Sequence, residues 1–163
     1  MHIEQLGVKK GEHNRGIGTK LIEEIKHIAK ENNCDNIICL GDFFDRAELN
    51  SEEITALQDI LWSNIPHHFL VGNHEAGRGN LDFSSSHLFQ LCENITVHNN
   101  IGLLTAYDTN VVLLPYVLEC NRLPLKDYLK DIPKKPNTII LSHNDIAGVQ
   151  MGRYLSKEGF SIE

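Results

Sequence analysis

The sequence predicts a layered α/β domain, and three observations predict it. Amphipathic helical stretches alternate with short apolar runs along most of the chain, the pattern of helices packed on a sheet. Three of the apolar runs (NIICL, HHFLV and TIIL) stop at a glycine or serine. Metal-capable side chains follow each stop at once, in GDFFDR, GNHE and SHND. In open α/β sheets ligands bind outside the carboxyl ends of the strands, so these bursts are the expected site.

The elements follow in order. Ile17, Leu21, Ile25, Ile28 and Ala29 fall on one helical face before the polar run ENNCDN. NIICL is a short buried strand that stops at Gly41. Ser51, with Glu53 and Ile54 behind it, starts a second helix through Trp62, closed by Pro66. HHFLV is the next strand, stopped by Gly72, with His67 and His68 expected at an edge. A small helix from Ser86 to Cys92 precedes three strands, ITVHN, GLLTAY and NVVLLPY. Pro124 opens a helix to about Lys130, and PNTIIL is the last buried strand, ending at SHN.

At 163 residues the chain is one domain's worth, with 41% apolar and 23% charged residues, a composition that builds a core. It has no apolar run of about 18 residues and no charged-then-apolar leader, so neither a membrane span nor a secretory signal is expected. Cys34, Cys39, Cys92 and Cys120 are scattered without a CxxC pair; that suits a reducing cytoplasm and argues against a zinc knuckle. The net charge of −7 gives no electrostatic footprint for nucleic acid, although carboxylates gathered for metal also make a chain acidic.

The strand-end segments carry the chemistry. Gly41 permits a sharp turn, and Asp42 then projects from the strand end; the plain alternative is an Asx turn. Asn73 and His74 in GNHE are poor choices for a plain turn. His143 in SHN is, by itself, more often a structural histidine than a ligand. Together they are specific, because unrelated loops would not all place ligands at one edge. A carboxylate, an amide oxygen and imidazoles suit Mn²⁺, Fe²⁺ or Zn²⁺. Two such ions about 3.5–4 Å apart form a clamp for in-line displacement at phosphorus.

GDFFDR, GNHE and SHN, in this order, resemble the calcineurin-like metallophosphoesterase superfamily, whose pattern runs D-x-H, GDxxDR, GNH(D/E), H and GHxH. The resemblance implies a sheet sandwich flanked by helices and hydrolysis by two divalent ions that activate water, Mn²⁺ first. Asp42 would bridge both ions, and Asn73 and His143 would bind one. His74 would serve as the acid at the leaving oxygen, held by Asp45, and Arg46 would contact phosphate. His2, in the opening MHIEQLG, stands where the histidine of D-x-H would stand. The aspartate of that motif and both histidines of GHxH have no counterpart. Residues 1–163 are therefore expected to form a single, partial domain lacking the first strand and the C-terminal part, an internal fragment of a longer reading frame.

GDFFD, the spacing to GNHE, LPY at Leu114–Tyr116 and the SHN ending look most like the DNA double-strand-break repair exonucleases and their phage relatives. By that resemblance the substrate is DNA, an ATPase subunit is a partner, and the protein can pair with itself. Phosphomonoesterases and protein or nucleotide phosphatases of the same superfamily are the alternative, although Ala47 and VGNHE depart from the phosphatase form. A non-catalytic remnant acting as an interaction module is a second alternative. NRGIGTKLIEEI resembles the acetyl-CoA loop of acetyltransferases, but the apolar strand needed before it is missing. His27 reads as solvated, and His87 as core or substrate-side.

Overall fold

The computed structural model of the chain describes residues 17–61, 64–106 and 108–161. His2, His13, Trp62 and the end of the GLLTAY strand lie outside them. The order is α1 (Ile17–Glu31), β1 (Ile37–Cys39), α2 (Ser51–Leu61), β2 (His67–Leu70), β3 (Ile95–His98), β4 (Gly102–Ala106), β5 (Thr109–Leu114), α3 (Leu125–Leu129), β6 (Thr138–Ser142), β7 (Gln150–Met151) and β8 (Tyr154–Leu155). The α/β architecture expected from the alternation is therefore the one observed.

Two three-stranded sheets carry the fold. In the first, β2 lies between β1 and β3 and is parallel to both, with Ile37 opposite His67 and Leu70 opposite His98. In the second, β5 pairs antiparallel with β4 and parallel with β6. A small hairpin, β7 with β8, follows.

The side chains of β2 and the residue after it explain the layering, since successive strand residues face opposite sides. Phe69 and Val71 join Phe44, Phe89, Ile95 and Val97, with Ile22 of α1 and Leu57 of α2 packed against them. Leu70 points the other way, to Val111 and Leu113, with Ile38, Leu104 and Leu141 around them. Helices thus cover one face of the first sheet and the second sheet covers the other. Each of these buried aliphatic or aromatic side chains contributes about 1.5–3 kcal/mol.

α2 starts at Ser51, as the sequence predicts, and Asn50 caps it: the Glu53 N–H donates to Asn50 Oδ1 at 3.0 Å and the Asn50 N–H to Glu53 Oε2 at 2.9 Å, a reciprocal capping box. One local reading changes. His67 and His68 are not at an edge. They begin the central strand and are buried, because β3 pairs on the side the sequence left open. His68 bridges Asn36 Oδ1 and His98 Nε2, at 3.1 Å each. Burial pushes the pKa of His67, His68 and His98 down. Among the described residues no helix is long and apolar enough to cross a membrane.

Candidate metal centre

Strand ends from both sheets deliver the candidate residues. Asp42 follows β1, Asn73 and His74 follow β2, and His143 follows β6. Two glycines make the approach possible. A Cβ on Gly41 would sit 2.6 Å from the His143 ring, and one on Gly72 would sit 2.3 Å from Asp42 Oδ1. Gly41 has φ 97° and Asp42 φ 52°, so the chain turns through the left-handed region as it leaves β1.

Asp42, Asn73 and His143 meet. His143 Nε2 lies 3.1 Å from Asp42 Oδ2 and 3.0 Å from Asn73 Oδ1. On the opposite side of the ring, Nδ1 is 2.7 Å from the Leu40 carbonyl. A carbonyl only accepts, so Nδ1 carries a proton there, and the ring is turned so that Nε2 faces the two oxygens. Asp42 Oδ1 meanwhile accepts the His74 N–H at 3.1 Å, which ties β1's exit to β2's.

His74 and Asp45 form a second pair. His74 Nδ1 is 3.4 Å from Asp45 Oδ1, while Nε2 is 4.0 Å from Asp42 Oδ2. His74 and Asp45 are both open to solvent. Arg46 points elsewhere: it pairs with Glu53, and its Nε–H donates to the Glu48 carbonyl at 2.9 Å. It stitches the GDFFDR loop to the start of α2, and a phosphate contact from Arg46 would require that pair to open.

Sequence reasoning missed three supporting residues. Glu75 is fully buried; it accepts from the Gly72 N–H at 2.8 Å, the Phe44 N–H at 3.2 Å and the Ser86 hydroxyl at 3.0 Å. It therefore locks the GNHE turn to the GDFFDR loop and to the short 3₁₀ helix Ser85–Leu91. Burial pushes its carboxyl up, against those hydrogen bonds. Asn144 accepts the Val117 N–H at 2.8 Å and donates to the Pro115 carbonyl at 2.7 Å, fixing the exit of β5 beside His143. Tyr116 stands edge-on to the His143 ring, centroids 6.5 Å apart. A polar residue directly after a candidate site histidine, His74 or His143, was the one available signal for Glu75 and Asn144. His87 proves to be a capping residue, with Nδ1 accepting the Ser84 N–H at 3.3 Å.

The donor set fits a divalent ion. A carboxylate oxygen, an amide oxygen and an imidazole nitrogen, all groups that can ligate such an ion, converge. Their 3.0 and 3.1 Å separations match ligand atoms held at right angles about 2.0–2.2 Å from an ion. Among the described residues, no group of three or more His, Cys, Asp and Glu side chains converges; the trio reaches three only through the Asn73 amide.

Acceptors and an imidazole gathered at strand ends of a layered α/β domain define the class of metal-assisted hydrolases. The family model described as calcineurin-like phosphoesterase matches residues 13–161, and the chain belongs to that family. Its chemistry is metal-dependent phosphoester hydrolysis, with two divalent ions typical of its members. No curated protein sequence matches the chain.

Proposed function

We propose that the protein is a nuclease that hydrolyses phosphodiesters, with DNA ends as substrate and Mn²⁺ as its metal. The observation that carries the reading is the convergence of Asp42 and Asn73 on His143 Nε2, at 3.1 and 3.0 Å, at the strand ends. The likeness of GDFFD, GNHE, LPY and SHN to the repair exonucleases favours a diester over a monoester. The site is also open: the Asp42 side chain is 31% exposed and that of His74 49%, so a polymer can lie across it.

In this reading Asp42, Asn73 and His143 hold metal, with His2 as a further ligand. Divalent ions bound there supply Lewis-acid stabilisation of the charge that develops on the phosphoryl oxygens. The chain's own work is positional. Gly41 and Gly72 leave room for the ligands to meet, and the Leu40 carbonyl fixes the His143 tautomer. Asp45 accepts from His74 Nδ1 and orients the ring, so that Nε2 can give a proton to the leaving oxygen.

The test uses the purified protein, stripped by chelation and reloaded with Mn²⁺. We expect cleavage of bis-(p-nitrophenyl) phosphate and of end-labelled duplex DNA. Hydrolysis of p-nitrophenyl phosphate with DNA untouched would instead make it a phosphatase. Failure to take up stoichiometric Mn²⁺, with no turnover of any ester, would favour the inert remnant.

A further inference from the structure

The site needs a cation for phosphate, and Arg46 is committed to Glu53 and the Glu48 carbonyl. A different arginine is available. The Arg122 guanidinium lies over the Tyr116 ring, 5.6 Å from its centroid, and Tyr116 is the residue set edge-on to His143. The Arg122 Nε–H donates to the Val117 carbonyl at 3.3 Å, which fixes the guanidinium on the ring. Its terminal nitrogens have no carboxylate partner among the described residues.

The platform beneath it is rigid. The Tyr116 N–H donates to the Val71 carbonyl at 2.9 Å, one residue before the GNHE segment. The Val117 N–H is held by Asn144, next to His143. Tyr116 and Arg122 are therefore anchored to the same two strand ends that present Asn73 and His143. Stacking on an aromatic face keeps a guanidinium charged and oriented with its fork free. Tyr116 is common to both contacts, with Arg122 over its face and His143 set at an angle to it.

We infer that Arg122, seated on Tyr116, binds a phosphate flanking the scissile one, so that the site takes a polynucleotide strand across Tyr116 rather than a lone phosphoester. The inference rests on the nuclease reading. A flanking phosphate exists only in a chain of nucleotides, which makes Arg122 a specificity-determining residue for polymer over small diester.

The test has a binding arm and a turnover arm. A short fluorescein-labelled oligothymidylate is titrated, by anisotropy, with Ca²⁺ in place of Mn²⁺. Arg122→Ala is expected to weaken binding about tenfold and to reduce the dependence of log K on log salt by about 0.7, the share of one single-strand phosphate. Arg122→Lys should keep the slope and lose part of the affinity, because the charge survives and the stacked fork does not. Arg153→Ala, on the exposed turn between β7 and β8, is the charge control and should match wild type. In turnover, Arg122→Ala should lose about tenfold more kcat/KM on the oligonucleotide than on bis-(p-nitrophenyl) phosphate, through KM. Wild-type affinity and slope in Arg122→Ala, equal losses on both substrates, or a wild type that does not bind the oligonucleotide would each overturn the inference. A wild type that binds the strand yet cleaves only phosphomonoesters would sink the nuclease reading and the inference with it, whereas a wild type that cleaves the strand while Arg122→Ala keeps the wild-type slope would sink the inference alone.

Discussion

Asp42 and His74 sit 4.0 Å apart yet should fail differently when changed. Asp42→Asn removes a carboxylate from the converging acceptors, so metal content by mass spectrometry should fall together with activity. His74→Gln should retain metal and lose about 10²–10⁴-fold in kcat, the usual share of a general acid. Equal metal loss in both would make His74 a ligand. Gly72→Ala is the purely steric counterpart: its Cβ would meet Asp42 Oδ1, so we expect a folded protein by circular dichroism with weakened Mn²⁺ binding. A Gly72→Ala protein with normal affinity would show that Asp42 can shift without consequence. The ligand candidates were legible in the sequence because each follows an apolar run stopped by a small residue. Glu75, Asn144 and Tyr116 were not, because their partners are remote: Glu75 answers to Phe44, 31 positions away, and Asn144 to Val117, 27 away.

Among the elements, α2 gives the clearest quantitative expectation. Asn50→Ala removes one half of the capping box and should lower stability by about 1 kcal/mol, read from the urea midpoint at constant slope. An unchanged midpoint would mean that the Arg46–Glu53 pair alone holds the helix start. Periodicity and punctuation were enough to place the helices and most strands within a residue or two. They could not place β2 inside its sheet, since nothing in HHFLV says which strand lies beyond it. That is why two histidines expected at an edge are core. The β7–β8 hairpin, two residues a side, is too short to leave any periodic signal.

For the molecule as a whole, those buried histidines set an acid limit. Burial holds His67, His68 and His98 below the ordinary imidazole range. A depressed folded pKa leaves stability intact above the unfolded value near 6.5 and erodes it as pH falls through that value towards the folded one. Glu75 acts in the opposite sense, because its carboxyl is pushed up; its share of stability is largest in acid and is lost as pH rises. Three imidazoles against one carboxyl predict a lower Tm at pH 5 than at pH 8. Equal Tm values by calorimetry would mean that the cluster takes up no proton cost on folding.

The bond from His143 to the Leu40 carbonyl joins positions 103 apart. Closing so long a loop spends chain entropy before any local reward arrives, and contacts this distant in sequence form slowly. The acceptor trio therefore does not exist until β6 has docked, which makes it a reporter on the last stage of assembly. In refolding from urea, helical signal should recover first and Mn²⁺ capture, followed by the loss of its free-ion paramagnetic resonance spectrum, should trail it. An ion held by Asp42 and His143 would tether the two ends of that loop and slow their escape.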